Sequence, residues 1–316
     1  MSIAKRNLIL KKNNNFGVIF PGQGSQFPGM GKPYEKDKAF FKANFELGSE
    51  LLGLDLWKLV TDEAPVNLNK TEYTQPAIFT LNASLYQLWI ERGGAQPRYV
   101  AGHSLGEYNA LVACGAIDFD AALRLVVTRG KLMSEIKTKG AMAAVIGLDL
   151  DKLTDLCGLV ARELNLTVDC ANINTADQIV IAGNIEAVDM ACIKAKSIGA
   201  KRAIKLDVSV PSHCSLMQPI ADNFKKAMNL VQFSKPDETM ILIQNVDAMN
   251  SKSIDEIQDK LLSQLHMPVR WHQTMANLID MGCCEFMECG AGKVLTNIAK
   301  RINKEIKIDS YLLLTK

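Results

Sequence analysis

Residues Val100-Ala101-Gly102-His103-Ser104-Leu105-Gly106-Glu107-Tyr108 carry a G-x-S-x-G pattern from Gly102 to Gly106. The apolar residues Tyr99, Val100 and Ala101 lead in, and Tyr108, Leu111 and Val112 lead out at helical spacing. A strand turning sharply into a helix at this point lifts Ser104 onto a strained turn. Its hydroxyl then stands exposed at a helix N-terminus, and the two glycines let neighbouring chains pass close by. A serine so placed is set to attack a carbonyl. The same five-residue pattern also occurs in plain turns, so the chemistry has to be sought in its partners.

Upstream of the elbow, Phe16 to Phe20 reads as a compact strand ending at Pro21, followed by the loop Gly22-Gln23-Gly24-Ser25-Gln26. A helical region from Lys36 to Leu52, a helix from Pro76 to about Arg92, the strand and elbow at 98–106 and a helix to Ala116 come next. Strands alternating with helices predict an open, mostly parallel sheet. Between 139 and 209 the order changes to strand, helix, two strands, helix, strand (near 143–148, 150–165, 168–173, 178–182, 185–198 and 202–208). That βαββαβ order is the ferredoxin-like unit, able to bury a core of its own. The expected architecture is therefore an α/β body, 16–138 and 210–316, interrupted by a small inserted domain at 139–209. Beyond the insert come a loop holding His213, a helix near 215–229, the strand Met240 to Asn245, a helix near 253–265 and a last strand–helix pair. Residues 1–15, with Lys5, Arg6, Lys11, Lys12 and three asparagines, read as a flexible basic extension.

Composition narrows the function classes. A chain of 316 residues, 48% hydrophobic and 22% charged, is globular, and a net charge of +2 gives no reason to expect nucleic acid. No apolar run approaches the roughly 18 residues that a membrane span needs. The eight cysteines include no C-x-x-C pair and no zinc spacing, so neither metal nor disulfide framework is expected, and the reducing cytoplasm is the expected compartment. Adjacent Cys283 and Cys284 read as core or near-core thiols.

A serine nucleophile needs a base. Of the four histidines, His103 adjoins Ser104, but neighbours in an elbow point apart, so it reads as a turn-shaping residue. His213, in Val210-Pro211-Ser212-His213-Cys214, sits on a Pro-rich turn at a domain boundary and reads as either the base or a core-edge cap. His266 and His272 read as surface or supporting groups. The oxyanion formed on attack calls for two N–H donors: Leu105, which follows the serine, and the Gly22-Gln23-Gly24 loop, which otherwise is an ordinary strand–turn. That loop is no dinucleotide fingerprint, since Phe27 stands where the third glycine belongs, and Gly29 is not followed by the Lys-Ser/Thr of a phosphate loop. In the helix Asp120 to Ile136, Arg129 lies on the apolar stripe of Ala122, Leu125, Val126, Met133 and Ile136. An Arg there either snorkels out or meets an anion. No nearby acid is an obvious mate, which leaves a substrate carboxylate as one answer.

Four separated motifs, Pro21-Gly22-Gln23-Gly24-Ser25-Gln26, Gly102 to Tyr108, Arg129-Gly130-Lys131 and Pro211 to Cys214, resemble the malonyl-CoA:acyl carrier protein transacylases of bacterial fatty-acid synthesis. The resemblance runs from about Phe16 to Ile302 and closes with Gly290-Ala291-Gly292-Lys293-Val294-Leu295, where Ala291 replaces a proline frequent in the family. It implies an α/β-hydrolase-like domain with a ferredoxin-like insertion. Ser104 is then the nucleophile, His213 the base, Arg129 the fork for the malonyl carboxylate, and Gln23 and Leu105 the oxyanion amides. The backbone carbonyl of Gln264 is implied to orient His213, so Gln264→Ala is expected to keep substantial activity. Activity is expected to fall at acid pH with an ordinary imidazole pKa of about 6.5. The implied partners are malonyl-CoA and an acidic acyl carrier protein, with no cofactor, no membrane and a monomeric enzyme. Lys194, Lys196, Lys201, Arg202, Lys300 and Arg301 are candidate contacts for that acidic partner, against the plainer reading of a solvated face. The competing readings are a serine esterase, a polyketide acyltransferase with another extender, and a non-catalytic carrier-protein or nucleotide module.

Overall fold

The computed structural model describes residues 12–208 and 210–311 of the 316. Strand β1 (Lys12–Phe20) is buried from Phe16 onward and runs into the Gly22 loop. It begins earlier than the sequence predicts. Asn13 has low strand propensity, but its backbone pairs with Pro97 in the parallel ladder, and pairing outweighs propensity. Residues 1–11 of the expected extension lie outside the described residues.

Helices α1 (Lys38–Leu52), α2 (Leu56–Val60) and α3 (Thr71–Glu91) follow. The start of α3 falls five residues before Pro76, which sits inside the helix. Thr71, Thr74 and Gln75 are buried, and their packing outweighs the hydrogen bond that the proline cannot make. Strand β2 (Gln96–Gly102), helix α4 (Gly106–Ala113) and helix α5 (Phe119–Ser134) complete the first half of the body.

The insert follows as β3 (Gly140–Ile146), α6 (Leu150–Leu164), β4 (Val168–Thr175), β5 (Gln178–Asn184), α7 (Ile185–Ser197) and β6 (Arg202–Lys205). Asp149 caps α6 by accepting from Lys152 N–H, and Asn165, at φ 51°, ends it in the left-handed conformation. The four strands form an antiparallel sheet in the order β4-β5-β3-β6. Its apolar face packs on α6 and α7 around Val145, Leu153, Val160, Ile181 and Val188, a core separate from that of the body. Strand β6 is shorter than predicted: Leu206 N–H makes a last bond to Met142 O at 2.9 Å, and the chain then leaves the ladder, with Leu206, Asp207 and Val208 lining a cavity.

The chain returns through α8 (Ala221–Met228), β7 (Ile241–Ile243), α9 (Ile254–Gln264), α10 (Trp271–Asp280), β8 (Glu285–Glu288), α11 (Val294–Ile302) and β9 (Lys307–Ser310). The last strand–helix pair of the sequence reading is thus flanked by one more helix and one more strand. Cys283 is buried, but Cys284 is exposed, contrary to expectation, since consecutive side chains alternate in the extended segment leading into β8.

The body sheet has the order β7-β2-β1-β8-β9, and every pair is parallel. From β1 the chain proceeds to β2 and β7 on one side, then to β8 and β9 on the other. Such a switch opens a crevice at the carboxyl ends of the strands, where open α/β sheets bind ligands. The Gly22 loop follows β1, the elbow follows β2, and Gln244-Asn245 follow β7. The insert is tied to the body over this crevice. Ile173 N–H donates to Val269 O at 2.9 Å, and Val269 N–H donates to Ala171 O at 2.9 Å. No helix among the described residues is long and apolar enough to cross a membrane.

Candidate active site

Ser104 adopts φ 52°, a conformation that costs an L-residue energy and that the surroundings must enforce. Close packing does so. A Cβ on Gly102 would lie 2.0 Å from Gly106 C, and one on Gly106 would lie 2.0 Å from Phe20 O. Only glycine fits at either position, so β1, β2 and α4 meet at the elbow. Ser104 Oγ, buried at the foot of the crevice, lies 2.7 Å from His213 Nε2.

His213 sits in the loop after the insert, itself at φ 61°, with its backbone N–H donating to Leu265 O at 3.2 Å. Its Nδ1 lies 2.7 Å from Gln264 O. Gln264 is the last residue of α9, where carbonyls lack a partner within the helix and are free to accept. A carbonyl accepts only, so Nδ1 carries the hydrogen and Nε2 presents a lone pair to the serine. Burial, reinforced by the positive charge of Arg129, lowers the His213 pKa to about 3. The ring is therefore a neutral base at physiological pH, and the expected titration near 6.5 is corrected downward.

Arg129 does not snorkel. It is 1% exposed, and its guanidinium lies against the Tyr108 ring, 5.8 Å from the centroid. Nη1 donates to Gln75 Oε1 at 2.7 Å, and Nη2 donates to Ser104 Oγ and to Gln264 Oε1, both at 3.1 Å. The neighbouring glycine makes this reach feasible: a Cβ on Gly130 would crowd Thr71 O at 3.1 Å, so α3 and α5 approach closely and bring Gln75 to the guanidinium. No carboxylate among the described residues makes an ion pair or hydrogen bond with Arg129; its N–H groups are met by neutral oxygens, and the buried Glu107 carboxyl acts on it only as a nearby charge. Gln264 does more than the sequence implied. Besides its carbonyl, its side chain binds Arg129 and donates through Nε2 to Ser104 O at 3.0 Å.

The backbone N–H groups of Gln23 and Leu105 have no acceptor among the described residues. A Cβ on Gly22 would lie 2.3 Å from His103 O and 3.4 Å from Leu105 N, so the two segments are nearly in contact. Leu105 stands at the start of α4, where its own N–H is unengaged and the helix dipole favours a negative charge. Gly290 permits the neighbouring loop to close, since a Cβ there would strike Pro21 Cγ at 2.4 Å; Ala291 beside it is 8% exposed and tolerated.

These groups face a cavity of about 290 Å³ between body and insert. The body contributes Gln23, Ser104, Arg129 and His213, and the insert contributes Met142 and Asn172. Asn172 Oδ1 is buried without a partner. His103 also lines the cavity and is turned toward the insert, its Nε2 2.9 Å from Asn174 Oδ1. His266 and His272 are half-buried and do not line the cavity. Among the candidate basic contacts, Lys194 pairs with Glu163, and Arg301 pairs with Asp177 at 3.3 Å. Lys196, Lys201, Arg202 and Lys300 are exposed and make no ion pair among the described residues.

Sequence reasoning missed Gln75, Asn172 and Asn245. Asn245 Oδ1 accepts the Ser104 N–H at 2.7 Å, and its Nδ2 donates to Gly102 O at 2.6 Å. The available signal was a polar pair, Gln244-Asn245, directly after an apolar strand whose neighbour carries the elbow. Among the described residues, no group of histidine, cysteine and acidic side chains is arranged to hold a metal.

The chain matches the acyl transferase domain family over residues 18–314. It is 43% identical over 289 residues to the malonyl CoA-acyl carrier protein transacylase of Escherichia coli K12, covering 91% of this chain and 92% of the relative. Among solved structures, the malonyl CoA-acyl carrier protein transacylase from Coxiella burnetii superposes with a TM-score of 0.91 at 39% identity, covering 96% of each chain. A type II PKS acyl-carrier protein in complex with its malonyl-transacylase gives a TM-score of 0.90 at 40% identity, covering 95% of this chain and 98% of that one. The chain belongs to the acyl transferase domain family, among the malonyl CoA-acyl carrier protein transacylases.

Proposed function

We propose that the enzyme moves a malonyl group from malonyl-CoA to the phosphopantetheine thiol of an acyl carrier protein through a malonyl-Ser104 ester, supplying fatty-acid elongation. The observation that carries this reading is the Ser104–His213–Gln264 chain of hydrogen bonds beside a buried Arg129 that lacks an acid partner. His213 Nε2 takes the hydroxyl proton as Ser104 Oγ attacks the thioester carbonyl. The oxyanion is met by the N–H groups of Gln23 and Leu105. Collapse expels the CoA thiolate, which takes the proton back from His213. The carrier thiol then enters, gives its proton to Nε2 and attacks the ester, and Ser104 leaves as the alcohol with that proton. Throughout, Arg129 holds the malonyl carboxylate by its fork.

A catalytic Asp or Glu on the histidine, as an esterase would use, is replaced by the Gln264 carbonyl. This favours transfer of an anionic acyl group, because a carboxylate there would repel malonyl. Lys196, Lys201, Arg202 and Lys300 are our candidates for the acidic carrier surface. We take the enzyme to act in a reducing compartment, the cytoplasm, as a monomer built from the body and the insert at 139–209. The test is mass spectrometry after exposure to malonyl-CoA: an adduct on Ser104 is expected, discharged faster by holo-acyl carrier protein than by water, and absent from Ser104→Ala. An adduct on another residue, or full acylation of His213→Ala, overturns the assignment.

A further inference from the structure

Glu107 is a fully buried carboxyl in the first turn of α4, next to the elbow, and the chemistry above gives it no part. Its Oε2 accepts the backbone N–H of Asn245 at 2.7 Å, and its Oε1 accepts from Gln244 Nε2 at 3.0 Å. Asn245 in turn spans the elbow, taking the Ser104 N–H on one side of its amide and holding Gly102 O on the other. Gln264 Nε2 joins the same cluster, 3.4 Å from Asn245 Oδ1. The elbow's strained φ is thus gripped at both ends by one side chain, and that side chain's backbone is fixed by Glu107.

We propose that Glu107 and Asn245 are positioning residues for acyl transfer. Glu107 anchors Asn245, and the Asn245 amide holds Ser104 in the conformation that aims Oγ at His213 and leaves the Leu105 N–H, not that of Ser104, for the oxyanion. The proposal rests on Ser104 being the nucleophile. It assigns the consumed donor as well as the free one: Ser104 N–H is occupied by Asn245, so only the next amide along the helix start is available. The anchor acts through hydrogen bonds, with the nearby Arg129 charge favouring the ionised carboxyl to a lesser extent. Burial raises the Glu107 pKa to about 7, so the neutral form is accessible. Gln244 Oε1 is buried without a partner. Turning that amide over gives up the 3.3 Å bond from Nε2 to Ile257 O, but it presents Oε1 to a protonated Glu107, or to a Gln at that position.

The experiment measures single-turnover acylation of Ser104 by malonyl-CoA, with its rate and KM, in the full chain and normalised to the folded fraction. Misplacing a reacting group by about 1 Å costs on the order of 100-fold. Asn245→Ala and Glu107→Ala are therefore expected to lose about 10- to 100-fold in the acylation rate, with KM for malonyl-CoA within about twofold. Glu107→Gln is expected to recover most of the loss through the turned Gln244 amide. Native rates in folded Asn245→Ala or Glu107→Ala overturn the proposal, as does a Glu107→Gln enzyme as slow as Glu107→Ala. If both alanine variants fail to fold, Glu107→Asp decides. It withdraws the carboxyl by one methylene and is expected to slow acylation at unchanged KM, and a native rate overturns the idea. Ser104→Ala separates the two levels of the argument. An adduct persisting in that variant removes the nucleophile assignment and this proposal together, whereas its loss beside a native Asn245→Ala removes this proposal alone.

Discussion

Replacing Arg129 with Ala has two effects of separate origin. The guanidinium serves Gln75 Oε1, Gln264 Oε1 and Ser104 Oγ. The two amide oxygens are buried and lose this donor in the variant. Each orphaned group costs about 1–3 kcal/mol, so stability falls by roughly 2–6 kcal/mol. The second effect concerns the substrate. In the proposed role, the malonyl carboxylate takes over Nη2 from Ser104 Oγ on entry and accepts a further N–H of the fork. At least one charge-assisted bond is gained net, contributing about 1.5–3 kcal/mol. At roughly 1.4 kcal/mol per decade this is about 10- to 150-fold. An acetyl group has no carboxylate and gains nothing. The ratio of malonyl to acetyl acylation rates should therefore fall at least about tenfold in Arg129→Ala. Arg129→Lys, with the charge but without the fork, should lie between. The assay is single-turnover acylation of Ser104 by the two thioesters, at a temperature where circular dichroism shows each variant folded. An unchanged ratio refutes carboxylate recognition by Arg129 and leaves it a buried structural cation.

Burial and the Arg129 charge, which lower the His213 pKa to about 3, keep Nε2 unprotonated through mildly acid pH, so acylation by the free enzyme should hold its rate well below pH 6.5; half-maximal loss near 6.5 would show that burial does not depress the ring's pKa. The same shift works against stability in acid: below about 6.5 the unfolded imidazole binds a proton that the folded one refuses, so stability present above that pH is lost as pH falls toward the folded value. His213→Gln should flatten that part of the stability curve in urea titrations. Gln264→Ala should slow acylation by about tenfold or more, since its side chain holds both Arg129 and Ser104 O, and near-native kinetics would restore the carbonyl-only reading. Gly106→Ala, whose Cβ would stand 2.0 Å from Phe20 O, should lose at least about 3 kcal/mol, and a native melting temperature would show a looser elbow.

Local chain chemistry sufficed where the information is local. The elbow at Gly102 to Gly106 needs two glycines and a small nucleophile within five residues, and the alternation of strands and helices is a matter of hydrophobic period, so both are written in the sequence. So was the oddity of Arg129 on an apolar stripe, although not its outcome. Whether that Arg snorkels or stays buried depends on how closely α3 and α5 approach, which Gly130 permits but does not announce. The start of α3 and of β1 escaped for a related reason: Pro76 and Asn13 argue against their elements, and packing and ladder pairing with distant residues overrule them. Asn245 lies 141 residues from Ser104, and its one local mark, a polar pair directly after an apolar strand, does not say which element it meets. It reaches the elbow because β7 pairs with β2, and strand order is decided by the whole sheet. The pKa of His213 is likewise a property of the assembled site. The type of residue fixes its ordinary value, but desolvation and the charge of Arg129 exist only once the folded chain has closed around the ring.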